Sequence, residues 1–189
     1  WLIDKGADLE ASNADGLTPL IMATIEGHVE TVQLLADRGA DINMPDYAGI
    51  TPLMFAAAHG HLAIALFLAE RGANIAATNE DGRTALYFAV EGGNVDLVRL
   101  LLNKGANPNV RPPADSPMLS IAIIKERPDI VRFLVAKGAD VNAENKDGVT
   151  PLITAAYGGH KEFAVLLLDK GANIEARTCD GFTPLMAAV

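Results

Sequence analysis

A period of 33 residues runs through the 189-residue chain without insertion or deletion. Gly6, Gly39, Gly72, Gly105, Gly138 and Gly171 keep this step, each followed by alanine. Gly16, Gly49, Gly82, Gly148 and Gly181 keep it too, with Asp115 in the remaining slot. A strict period of this length signals a stacked array, in which each unit is too small to bury its apolar face without neighbours. Such an array grows without a single core, so the chain is expected to be one domain. The frame gives a partial repeat (1–12), five full repeats (13–45, 46–78, 79–111, 112–144, 145–177) and a second partial repeat (178–189).

Within a unit the residue order dictates a helical pair. Threonine before proline, as in Thr51-Pro52, makes an N-cap followed by a residue whose missing N–H costs nothing in the first turn. Ala56 and Ala57 keep the first helix slim, and Gly60 ends it. His61, or Asn94 one unit later, opens a second helix whose Ile64, Phe67 and Leu68 recur at helical spacing as a buried stripe. Gly72 supplies a positive φ at its C-terminus. Residues 73–82, with Asp81-Gly82 as the turn, are expected to project as a β-hairpin finger.

Repeat four departs from this order. Residues 107–119 read NPNVRPPADSPML, and Glu126-Arg127-Pro128 replaces glycine-histidine. Ser116-Pro117 is expected to act as cap and first helical residue, one position early. Pro108, Pro112 and Pro113 make the finger stiffer.

Thr18-Pro19-Leu20, Thr51-Pro52-Leu53, Thr150-Pro151-Leu152 and Thr183-Pro184-Leu185, the Gly-His pairs at 27, 60 and 159, and the closing Gly-Ala-Asp/Asn resemble the ankyrin repeat over the full length. The resemblance implies an all-α fold, an ankyrin-repeat α-solenoid with β-hairpin fingers, five full and two partial repeats. The family's usual histidine after Thr-Pro-Leu is replaced by Ile21, Met54, Tyr87, Ser120, Ile153 and Met186. That side chain's hydrogen bond is therefore not carried over.

Charge narrows the function classes. A formal net charge of −9 repels a phosphate backbone, so no nucleic-acid partner is expected. Residues 47–69 contain no Asp, Glu, Lys or Arg and match a bilayer in length. The frame breaks them at His59-Gly60-His61 into two short helices, so no membrane insertion is expected. The single Cys179 fits a reducing, cytoplasmic location, and the chain is expected to be a monomer. The frame begins inside a second helix and stops inside a first, without polar capping repeats, which suggests a fragment of a longer array.

Catalytic chemistry finds little purchase. His28, His61 and His160 share one repeat position, about 8–10 Å apart on neighbouring units, too far for a common zinc at about 2 Å from each nitrogen. A role at the helix junction explains them better, and no metal or other cofactor is expected. Cys179 lies beside Asp180 with no base placed by the sequence, and Asp15, Asp81, Asp147 and Asp180 precede turn glycines, where Asp-Gly is ordinary turn chemistry. No phosphate-cradling glycine loop occurs. The chain therefore reads as a non-enzymatic scaffold. The rival reading is the substrate-positioning part of an enzyme or effector whose catalytic domain lies outside these residues.

Recognition is what remains. The residue after each turn glycine forms a column, Leu17, Ile50, Arg83, Ser116, Val149 and Phe182, apolar at four of six places without need. The ankyrin resemblance implies partner contact there, on the residues before the glycine and at first-helix ends, on a concave face. That brings in Tyr47, Pro113, Ile25, His59, Lys125 and Tyr157 as partner-binding positions, with neighbours such as Ala48, Glu80, Ile124, Lys146 and Cys179. Leu17, Ile25, Tyr47 and Ile50 make one apolar group and Val149, Tyr157 and Phe182 another. Arg83, Pro113 and Lys125 lie between them, a pattern suited to a protein or peptide with a central acidic residue. On the outer side, Gln33, Leu66, Arg99, Arg132 and Val165 form a mostly polar column in which the two apolar members need no partner.

Overall fold

A computed structural model describes residues 2–110 and 116–189. After a short 3-10 turn at Ile3–Lys5, helices alternate as first and second members of a pair. They are α1 (Pro19–Ile25) and α2 (Val29–Asp37), α3 (Pro52–His59) and α4 (Leu62–Glu70), α5 (Ala85–Glu91) and α6 (Val95–Asn103), α7 (Met118–Ile124) and α8 (Pro128–Ala136), α9 (Pro151–Tyr157) and α10 (Lys161–Asp169), then α11 (Pro184–Ala187). The chain divides into two compact units, Trp1–Ala106 and Asn107–Val189.

In the first unit α3 packs between α1 and α5, while α4 packs on α2 and α6, so first and second helices form separate layers. In the second unit α9 plays the part of α3, lying between α7 and α11. The buried stripe falls where the spacing puts it. Leu20, Leu53, Ile64, Leu68, Leu86, Leu97 and Leu101 in the first unit and Leu119, Ile130 and Leu134 in the second are fully buried. Each such side chain contributes about 1.5–3 kcal/mol by leaving water. Phe67, expected in that stripe, is only half-buried, its ring covered by the Arg71 guanidinium at 4.8 Å. The slim positions Ala56 and Ala57 are buried, which lets α3 approach both neighbours.

Each threonine start forms its cap. Thr18, Thr51, Thr84, Thr150 and Thr183 accept from the N–H three residues on, at 3.2–3.4 Å. Repeat four differs, and the expected register there is corrected. Pro117 itself holds the N-cap position (φ −51°, ψ 143°), Met118 is the first helical residue, and no side chain caps α7. The start has not moved; proline has replaced threonine in place, and the hydroxyl is lost. The residue following Thr-Pro-Leu is buried at Ile21, Met54, Tyr87, Ser120 and Ile153, which explains apolar side chains where the family places histidine. Ser120 is the exception, its Oγ buried without a hydrogen-bond partner among the described residues.

The described residues contain no β-strand, so the fingers are not hairpins of the expected kind. Each described finger is a tight turn whose base residue bonds across it: Asn13 N–H donates to Leu17 O (3.2 Å), Asp46 to Ile50 (3.0 Å), Asn79 to Arg83 (3.0 Å), Asn145 to Val149 (3.1 Å) and Thr178 to Phe182 (3.0 Å), while the turn glycine N–H donates back to the base carbonyl at 2.8–3.1 Å. Side chains take the donors that a ladder would use. Asn145 Oδ1 accepts from both Asp147 N and Val149 N at 2.9 Å, and Asp46 Oδ1 from Ala48 N at 3.0 Å and Ile50 N at 2.7 Å. Short Asx side chains compete with the backbone for its partners in this way. A second set of Asx side chains ties repeats together: Asn43 Oδ1 accepts from Asn74 N (2.8 Å), Asn109 from Asp140 N (2.8 Å) and Asn142 from Asn173 N (2.7 Å). Ala76, in the equivalent position, offers no acceptor.

Candidate protein-binding face

Fingers within a unit are joined edge to edge. Tyr47 N–H donates to Asp15 O at 3.3 Å, Glu80 N–H to Ala48 O at 3.1 Å and Cys179 N–H to Asp147 O at 2.9 Å. This closeness fixes the turn glycines twice over. Gly148 has φ +77°, and a Cβ there would meet the backbone of Thr178 and Cys179 at 3.0–3.1 Å. The recognition columns thus stand on a backbone whose lateral spacing is set by hydrogen bonds.

In the first unit, Leu17, Ile50, Arg83 and Ile25 are half-buried, whereas Tyr47 is 70% exposed and His59 is exposed. Tyr47 sits in a shallow depression of about 410 Å³ with Asp15, Asp46, Ala48 and Glu80. Arg83 is engaged within its own repeat, its guanidinium 4.0 Å from the Asp81 carboxylate and 5.1 Å from the Tyr87 ring centre. The Ile25 carbonyl, left open at the end of α1, accepts from His61 Nε2 of the next repeat at 3.0 Å. His59 donates through Nδ1 to Phe55 O at 3.0 Å and stacks on His61 with ring centres 6.0 Å apart. His61 thus bonds across the helix junction.

The second unit brings three predicted residues into one groove. Val149, Tyr157 and Phe182 line a cleft of about 790 Å³ together with Ile124, Asn145, Asp147, Ile153, Thr154, His160 and Asp180. Tyr157 is 81% exposed and Phe182 45%, while Ile153 lies at the buried floor. Lys125 is exposed but does not line the cleft, and Pro113 lies outside the described residues. The predicted set is therefore distributed over two units, with the Val149, Tyr157 and Phe182 group drawn together.

His160 was not expected in this face, and its placement has a local cause. The His61 ring lies against Gly27, where a Cβ would come within 2.8 Å of it. The equivalent residue before His160 is Glu126, the one described non-glycine residue with positive φ (+53°), which carries a Cβ where Gly27 has none. The His160 ring instead lies over Gly158 and 5.5 Å from the Phe163 ring centre, where it borders the cleft. The Glu126 departure was visible in the sequence; its effect one repeat later was not.

Cys179 is exposed, its thiol 3.7 Å from Lys146 O. Among the described residues no group of three or more His, Cys, Asp or Glu side chains is placed to hold a metal ion. No helix among them is long and apolar enough to cross a membrane.

The family model described as Ankyrin repeats (3 copies) matches residues 1–79, 48–112, 72–145 and 118–189, spanning the whole chain. The chain belongs to the ankyrin repeat family. A comparison with curated proteins finds no match. Ankyrin repeats are generally protein–protein interaction modules, and the helical pairs described above are those of an α-solenoid.

Proposed function

We propose that this ankyrin repeat chain is a non-catalytic, monomeric cytoplasmic scaffold that binds a partner protein or peptide through its finger and first-helix face. The observation that carries this reading is the cleft of about 790 Å³ in which Val149, Tyr157 and Phe182 meet. Exposed aromatic rings beside an apolar floor are the usual anchors of a protein contact, and a large solvent-facing tyrosine makes no contribution to packing that would otherwise account for it. The free, exposed Cys179 agrees with a reducing compartment.

Site-specific photocrosslinking in cell extract tests the assignment. A photoreactive phenylalanine analogue at Tyr157 is expected to capture a discrete partner, and the same group at Val165 on α10 is not. Tyr157→Ala should weaken that partner's binding by more than about 1 kcal/mol. Equal capture at both positions, or unchanged affinity of the alanine variant, refutes the choice of face.

A further inference from the structure

Resting on that reading, we infer that the cleft of the second unit takes a peptide segment in which an apolar side chain stands next to a lysine or arginine. Among the described residues, the formal charge on its lining is negative only, from Asp147 and Asp180, and no Lys or Arg lines it. Neither carboxylate has an ion-pair partner among the described residues. They stand on adjacent fingers held together by the Cys179 N–H bond to Asp147 O at 2.9 Å, so both are presented from one rigid edge. Along that edge Asn145 Oδ1 is already used by two backbone N–H groups, which fixes the amide orientation and leaves Nδ2 as the outward donor. The Thr178 Oγ1 accepts from Phe182 N at 2.9 Å and keeps its O–H to donate.

The cleft therefore offers two hydrogen-bond donors suited to peptide carbonyls, an apolar floor between Tyr157 and Phe182, and a carboxylate rim suited to a cation. An acidic ligand would bring like charges together at that rim, which costs affinity and slows encounter. Charge complementarity so selects a basic, apolar segment.

Selection from a random dodecapeptide library displayed on phage, against the whole 189-residue chain, tests this. Enriched peptides are expected to carry Lys or Arg within a few positions of an aromatic or aliphatic residue. Their synthetic forms should bind about tenfold more weakly to Asp147→Asn with Asp180→Asn at low salt, and less well to Tyr157→Ala. Affinity should not change in Asp15→Asn with Glu80→Gln, which carries the same charge reduction in the other unit. Circular dichroism of each variant establishes that it is folded. Peptides lost with Tyr157→Ala but without an excess of Lys or Arg overturn the inferred ligand and leave the face standing. Peptides indifferent to Tyr157→Ala, or no enrichment at all, overturn both.

Discussion

The units Trp1–Ala106 and Asn107–Val189 are built from one repeat, yet they differ in surface and in the ends of their helices. The first carries 14 acidic and 6 basic residues, the second 10 and 9. On the first unit's fingers and helix ends stand Asp15, Glu26, Asp46, Glu80, Asp81 and Glu91, with Arg83 bound up beside Asp81. Its three complete helix pairs all start on a threonine cap, and Gly27, Gly60 and Gly93 take the positive φ after each first helix. The second unit sets Pro117 at the N-cap of its first helix without a side-chain cap and places Glu126 at φ +53°. Its packed middle is untouched: Leu119, Ala122 and Ile123 are as buried as their counterparts in the first unit. The repeat thus tolerates change where a backbone group can find another partner, and resists it where a side chain fills shared volume.

That contrast can be broken at its strongest point first. Leu68→Ala and Leu134→Ala each empty a fully buried site, one per unit, and each should cost about 2–5 kcal/mol in urea unfolding. A loss under about 1 kcal/mol in either, the size of an average substitution, would show that the two cores are not equivalent. Smaller effects test the helix starts. Thr51→Ala should lose about 1 kcal/mol. Pro117→Thr should gain a comparable cap while giving up about 0.4–1 kcal/mol of proline's restriction of the unfolded chain, a net gain below about 0.5 kcal/mol. Loss of stability on Pro117→Thr would mean that this proline does more than occupy the threonine position.

The other departure of the second unit is tested by Glu126→Gly. Relief of a left-handed, non-glycine backbone should stabilise the chain by about 0.5–1 kcal/mol. The same substitution frees the space that the His61 ring occupies at Gly27, so the His160 ring should leave Phe163, shifting its imidazole proton resonances. Unmoved resonances would separate His160 from residue 126.

Much of this architecture was legible in the residues. Thr51, Gly72 and Leu68 announce a cap, a left-handed stop and a buried stripe by chemistry that acts within a few residues. What depended on a lateral neighbour was not. The fingers read as hairpins because Asp-Gly is good turn chemistry, yet Asn13, Asp46, Asn79 and Asn145 recur at the finger base and take the backbone donors themselves. Their 33-residue recurrence was the available signal. Arg83 looked like a free cation, but its partners Asp81 and Tyr87 emerge only once the finger folds over the helix. The pairing of Val149 with Phe182 followed from the column, because equal spacing along the chain becomes adjacency wherever fingers are bonded edge to edge, and Tyr157 came in through the family resemblance.

Those bonds between fingers carry a further consequence. Because Cys179 N–H holds Asp147 O, and Glu80 N–H holds Ala48 O, neighbouring fingertips advance in lockstep, like teeth cut on one rail. Outside the turn glycines, side chains on the rail can be exchanged, since the bonds use only main-chain atoms. Any ligand reading two adjacent tips must match a pitch set by the main chain, whatever side chains the tips carry outside those glycines.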